Sequence, residues 1–341
     1  MLQFHRKTVI VASIVLVMIA AIVYVIVANN NSGQAQIRSP QSRLTLDQIP
    51  LDGERAYQML HRLCELGPRY SGSTGMLKQQ EMLKSHFEQQ GATVTMQPFR
   101  IRHPETGEAV EMANLVAQWN PERTKRLLLC AHYDTRPYPD RDPNPQLRRG
   151  VFVGANDGAS GTALLAELAY HIPKIDSPYG IDIVLFDGEE FIFDDRRDTY
   201  FLGSEYFARQ YAQNPPAHRY EWGVLLDMVG DAQLEIYQEK YSMSWPKTRL
   251  LVQRIWKTAD RLGVKEFIPR RRYEIRDDHL PLNTTAHIPT CDIIDFGYPQ
   301  DSSFDRGKSY WHTTQDTPDK CSALSLAKVG WVVLEWLRTE K

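Results

Sequence analysis

Apolar positions fall along the chain in three patterns. The first is a continuous block, Thr8 to Ala28, which carries no charged residue and has the length of roughly 20 residues that a helix needs to cross a bilayer. It predicts a transmembrane anchor, because a cleaved signal peptide has a shorter apolar core of roughly 7–15 residues. Arg6 and Lys7 precede the block, so residues 1–7 are expected in the cytoplasm. The large C-terminal part is then expected on the exported side, whether periplasmic, extracellular or lumenal. Residues 29–49 turn to Asn, Ser, Gln, Pro and Gly and read as a linker. That leaves 50–341 as one large domain.

The second pattern repeats at helical spacing. It predicts helices over Leu51 to Leu66, Thr74 to Gln90, about Thr162 to His171, Asp198 to Gln210, Lys247 to Leu262 and Leu324 to Leu337. In the Thr74 helix Met76, Leu83 and Phe87 share one face, and Gly91 fits the C-terminal cap. The third pattern is short, continuous and rich in branched side chains, as in strands buried on both faces. It marks Ile181 to Phe186 and Arg126 to Asp134; further strands are expected over Val94 to Ile101 and Met112 to Trp119 around the Pro104-Glu105-Thr106-Gly107 turn, and over Glu221 to Gly230 and Thr290 to Phe296. Strands that alternate with helices predict an α/β domain. Thr135 to Gly150 is a long polar loop of the kind that either lines a site or is disordered.

Charge and cysteine spacing then remove several function classes. The 40 Lys and Arg residues nearly balance the 42 Asp and Glu, for a net charge of −2, so no nucleic-acid footprint is implied. Cys64, Cys130, Cys291 and Cys321 have no C-x-x-C spacing, which speaks against a cysteine zinc site. Ser160 lacks the G-x-S-x-G setting of a serine nucleophile, and Asp295-Phe296-Gly297 has no glycine-rich loop or H-R-D before it. Asn30-Asn31-Ser32 and Asn283-Thr284-Thr285 fit glycosylation sequons, and Arg270 to Arg272 read as a solvated basic loop.

What remains is concentrated at strand ends. The Ile181 to Phe186 run stops at Asp187, Gly188, Glu189 and Glu190, three carboxylates around one glycine. In open α/β sheets the C-terminal strand ends are where active sites collect. Adjacent acids there repel each other unless a cation sits beside them, and a bound metal is the economical answer. A plain acidic, solvated turn is the alternative for the stretch taken alone. The strand-end acids and histidines form a set: His132, Asp157, Glu189, Glu190, Asp227, Asp277, Asp278 and His312. Imidazole and carboxylate donors suit Zn²⁺ with an open position for catalysis, which points to a metal-dependent hydrolase or transferase.

The blocks AHYD (131–134), GANDGASG (154–161), LFDGEE (185–190), LLDMVGD (225–231), RDDHLPL (276–282) and YWHTTQDTPDK (310–320) resemble the M28 zinc peptidase superfamily, and within it the glutaminyl cyclase branch. The resemblance runs from about Leu51 to the C-terminus. It implies a three-layer α/β/α fold with a mixed, mainly parallel central sheet, the zinc-dependent exopeptidase type. It implies one zinc held by Asp157, Glu190 and His312, with Glu189 as general acid/base. Asp277 would hydrogen-bond near the reacting amine, and Trp311 would wall the substrate pocket. In the two-metal aminopeptidases of the superfamily, the positions of His132 and Asp227 hold a second zinc and Asp157 bridges the two. Two departures stand out: animal cyclases carry an aromatic pocket residue near the position of Asp195, and the 156–161 block looks closer to the aminopeptidases. The expected activity is therefore a membrane-anchored glutaminyl-peptide cyclotransferase acting on peptide or protein N-termini. A zinc aminopeptidase with two metals is the alternative. A binding module without catalysis is disfavoured because every ligand position and Glu189 are retained.

Overall fold

Strands that are apolar on both sides must be covered on both sides, and that requirement sets the architecture. The computed structural model describes residues 42–299 and 308–340. The Thr8 to Ala28 anchor, most of the linker and the Asn30 sequon lie outside the described residues. Among the described residues no helix is long and apolar enough to cross a membrane. In chain order the elements begin with α1 (Gly53–Glu65), α2 (Thr74–Gln89), β1 (Thr93–Arg102), β2 (Ala109–Trp119), β3 (Lys125–His132), α3 (Ala159–Leu168), β4 (Gly180–Phe186) and α4 (Leu202–Gln213). They continue with β5 (Arg219–Asp227), β6 (Ile236–Gln238), α5 (Lys240–Ser244), α6 (Pro246–Leu262), β7 (Phe267–Arg271), α7 (His279–Thr284), β8 (Thr290–Ile294) and α8 (Ala323–Thr339).

Six strands form one sheet in the order β1-β2-β4-β3-β5-β8. β4, β3, β5 and β8 run parallel to one another, while β2 pairs antiparallel with both β1 and β4. The sheet is thus mixed and mainly parallel, as expected. Side chains alternate between its faces with period two. Leu127, Leu129 and Ala131 of β3 join α1, α2, α3, α6 and α8 in the larger core. Leu128 and Cys130 join Phe207 of α4 and Leu282 of α7 in a smaller one. β1 lies at the sheet edge, which is where its Pro98 is tolerated.

Helix starts follow local chemistry. Asp52 and Ser73 cap α1 and α2 by accepting from Arg55 N and Met76 N, and α6 opens with Pro246 and closes at left-handed Gly263. α3 starts earlier than its apolar spacing suggests, at Ala159, directly after Gly158 with φ 90°. A Cβ on Gly161 would meet Leu226 O at 2.1 Å, so that glycine lets α3 lie close against β5. The helix expected from Asp198 begins only at Leu202, because Phe201 adopts a left-handed φ of 62°.

Two segments differ from their expected form. Arg270 and Arg271 belong to β7, which pairs with β6 in a small parallel sheet. Arg270 and Arg271 are exposed, as expected of a solvated run, but they end a strand rather than lie in a loop, and Arg270 and Arg272 place their guanidinium groups 5.2 and 4.8 Å from the Tyr237 ring centre. The Asn283 amide donates to His279 O and Thr290 O at 2.8 and 2.7 Å and accepts from Thr248 Oγ1 at 2.8 Å. It acts as a clasp between α6, α7 and β8.

The sheet end remote from the carboxylate cluster holds a buried ion pair. Arg126 and Asp182 are both fully buried. Arg126 Nε donates to Asp182 Oδ1 at 2.9 Å, and its remaining nitrogens reach Trp119 O and Asn120 O. Tyr220 OH and Gln118 Nε2 donate to the other carboxylate oxygen. Removing one partner of such a pair strands the other charge in a low-dielectric interior. Asp182→Ala is therefore expected to lower unfolding free energy by roughly 3–5 kcal/mol, read as a reduced urea midpoint with unchanged slope.

Candidate metal centre

Parallel strands end at one sheet edge, and three of them deliver acid or imidazole there. His132 is the last residue of β3 and Asp227 the last of β5, while Glu189 and Glu190 follow β4 after left-handed Gly188. Asp157 arrives on the loop before α3, and His312 on the loop before α8. A cleft of about 500 Å³ opens over this edge, lined by Asp157, Glu189, Glu190, Asp227, Asp277 and His312, with Trp311 on its wall. Phe201, Met228 and His312 all line the cleft and all have positive φ without being glycine. Backbone strain of this kind clusters at functional sites.

Two groups of donors share one carboxylate. Asp157, Glu190 and His312 form the first and His132, Asp157 and Asp227 the second, each with ligand atoms within 4.8 Å of one another. Asp157 Oδ1 lies 3.3 Å from His132 Nε2, and Asp157 Oδ2 lies 3.4 Å from His312 Nε2. His132 Nε2 is 3.2 Å from Asp227 Oδ1. His312 Nε2 approaches Glu190 Oε1 to 2.5 Å but is not aligned as a hydrogen bond. Asp157 Oδ2, Glu190 Oε2 and both nitrogens of His312 are buried without a hydrogen-bond partner among the described residues. Orphaned donors that converge on one point, nitrogen and oxygen together, fit Zn²⁺.

A second layer of acids holds this cluster through its backbone. Asp134 accepts from Glu189 N and Glu190 N at 3.1 and 3.0 Å, and lies 3.6 Å from His132 Nδ1. Asp316 accepts from Asn156 N and Asp157 N at 2.8 and 3.1 Å and from Tyr298 OH at 2.8 Å. Asp187, the first of the three acids after β4, turns away from the cleft to accept from Ser71 Oγ and Ala113 N at 2.6 and 2.9 Å. Ser160 bonds Asn156 O and Val229 N, a structural role. Asp134, Asp316 and buried Arg136 are absent from the set assembled from sequence. Their only signal was position, since Asp134 and Asp316 follow His132 and His312 closely within the same blocks.

Of the Asp277-Asp278-His279 block, only Asp277 lines the cleft. Asp278 is turned toward the Ser204 hydroxyl at 2.5 Å. His279 is fully buried, 3.4 Å from Glu239 Oε2 and 3.9 Å from Asp292 Oδ2. Trp311 stacks under the Arg141 guanidinium at 4.1 Å and meets Phe296 edge to face. Asp195 pairs with Arg136 and Arg141 and accepts from Tyr200 OH at 2.7 Å.

The protein environment separates the two adjacent glutamates. Burial drives the proton affinity of Glu189 well up, His132 opposes it, and Glu190 and Asp277 add to it. Glu190 is pushed up to about 7 by burial but is held back by the Arg136 guanidinium. His312 is lowered to about 4, by burial and then by Arg136, which keeps its ring neutral as a ligand requires. Burial also disfavours charge on His132, yet hydrogen bonds to Asp134, Asp157 and Asp227 hold its affinity for a proton well above the ordinary range.

Comparisons with known proteins agree with this geometry. The family profile of peptidase family M28 matches residues 114–337. The crystal structure of Fimbriiglobus ruber glutaminyl cyclase is 41% identical, covers 86% of this chain and 96% of that chain, and superposes with a TM-score of 0.79. A leucine aminopeptidase precursor from Bacteroides thetaiotaomicron is 31% identical, covering 89% of this chain and 99% of that one at a TM-score of 0.76. The glutaminyl-peptide cyclotransferase of Gloydius blomhoffii is 26% identical over 306 residues, 79% of this chain and 77% of its own. With its mixed, mainly parallel sheet and strand-end donor cluster, the chain belongs to peptidase family M28.

Proposed function

We propose that this protein is a zinc-dependent glutaminyl-peptide cyclotransferase, which closes N-terminal glutamine into pyroglutamate and releases ammonia. The observation that carries the reading is the position of Glu189. It is buried beside the Asp157, Glu190, His312 group, with raised proton affinity and with Asp277 on the same cleft. The likeness to glutaminyl cyclases supports it.

In this reading Asp157, Glu190 and His312 hold one Zn²⁺, which when bound polarises the side-chain amide carbonyl as a Lewis acid. The α-amine nitrogen bonds to the side-chain carbonyl carbon, and the bond from that carbon to the amide nitrogen breaks. Glu189 takes a proton from the amine and returns it to the leaving nitrogen, a role that its raised proton affinity suits. Asp277 holds the amine, and Trp311 walls the cleft. Asp134 fixes Glu189 and Glu190 through their backbone N–H groups, so proton carrier and ligand keep a constant spacing. Thr8 to Ala28 anchors the chain, with the catalytic domain exported and meeting peptide N-termini there.

The aminopeptidase reading has one specific observation in its favour: His132 and Asp227 complete a second donor group that shares Asp157. Stoichiometry separates the two. Metal analysis of the dialysed protein is expected to give close to one zinc per chain, and a value near two moves the assignment to the peptidase. Incubation with a Gln-initiated peptide is expected to release ammonia without chain cleavage, and a Leu-anilide is expected to stay intact. Glu189→Gln is expected to lower turnover about 10²- to 10⁴-fold with zinc content unchanged. Full activity in that variant removes Glu189 from the chemistry.

A further inference from the structure

Two of the three residues in the Asp157, Glu190, His312 group are backed by the two halves of one ion pair. Arg136 and Asp140 lie four residues apart on the loop between β3 and α3, and Arg136 Nε donates to Asp140 Oδ1 at 2.6 Å. The Arg136 side chain is 1% exposed, and its Nη1 lies 3.7 Å from Glu190 Oε1. That nitrogen has no hydrogen-bond partner among the described residues. On the other side, Asp140 Oδ1 lies 3.8 Å from His312 Nδ1, which is equally unpartnered. Arg141 N donates to His312 O at 3.1 Å, so the same loop also holds the histidine's backbone. Asp195 on the cleft wall pairs with the far side of the Arg136 guanidinium.

We propose that Arg136 and Asp140 are positioning residues that work as one unit, aiming Glu190 and His312 at the metal and setting metal affinity. The inference rests on the ligand assignment above. A ligating imidazole needs its second nitrogen held by an acceptor, which fixes tautomer and ring plane, and Asp140 is the acid that faces Nδ1. Glu190 is crowded by Asp157 and Glu189, so without a cation beside it the carboxylate is repelled from the cluster. Arg136 is that cation, and Asp140 in turn orients the guanidinium. Neither residue lies in any of the donor groups, and the loop that carries them is marked in the sequence only by its length and polarity.

Zinc affinity of the full-length chain, measured by competition with a chromophoric chelator, tests the unit directly. Asp140→Ala is expected to weaken zinc binding about 10- to 100-fold, and Asp140→Asn, whose amide oxygen can still face Nδ1 as an acceptor, to recover part of that loss. Arg136→Gln is expected to weaken binding as well, and the double variant R136Q/D140N to lose less than the two single losses combined. The melting temperature of the zinc-free chain shows whether each variant folds. Asp140 is 38% exposed in its side chain, so its variants keep the test decisive if Arg136→Gln fails to fold. Zinc affinity within twofold of wild type in folded Asp140→Ala overturns the inference, as do additive losses in the double variant. If the wild type binds no zinc at all, the ligand assignment itself falls and this inference with it.

Discussion

Everything at the cleft depends on keeping like charges close together in a place with little water. Asp157, Glu189, Glu190, Asp227 and Asp277 are all nearly buried, and carboxylates packed at such distances repel one another strongly in a low dielectric. The fold resists that repulsion by fixing backbone rather than side chains. Asp134 and Asp316 accept from the amides of Glu189, Glu190, Asn156 and Asp157, so the loops cannot splay to relieve the charge.

The same constraint gives the sheet its division of labour. At one end Arg126 and Asp182 neutralise each other inside a complete set of hydrogen bonds, and nothing is left over for chemistry. At the other end the charges are left unbalanced, with donor atoms that lack partners among the described residues. Parallel strands make this polarity possible, because β3, β4 and β5 all present their last residues to the same edge. Glu189 and Glu190 illustrate how finely the environment then acts. They are neighbours in sequence, yet Arg136 faces one and Asp277 adds to the charge around the other. One glutamate is suited to ligation and the other to carrying a proton.

Much of this was legible before any coordinates. Continuous apolar runs marked β3, β4, β5 and β8, because a strand buried on both faces leaves little room for polar residues, while the partly exposed β1 and β2 were marked by two strand-like runs around a turn. The six motif blocks supplied every residue of both donor groups, since ligands must stand at strand ends or in loops beside them. The short elements β6, β7, α5 and α7 were not legible, because three to six residues carry no periodicity to read. The start of α4 was misplaced for a related reason: Phe201 takes a left-handed conformation that its side chain gives no cause to expect.

By itself, then, the sequence determined which acids and histidines stand at strand ends and in what order the strands carry them, because burial and alternation are local properties of the chain. Only the tertiary structure decided which acids face the cleft. Asp187, Asp278 and Glu189 look alike along the chain, but the first two are turned toward the hydroxyls of Ser71 and Ser204 and the third is left pointing at the ligand group. It also decided that Asp134, Arg136, Asp140 and Asp316 stand behind the donor residues. Their roles come from distances between loops remote in sequence, and charge alone says nothing about which partner a side chain will meet.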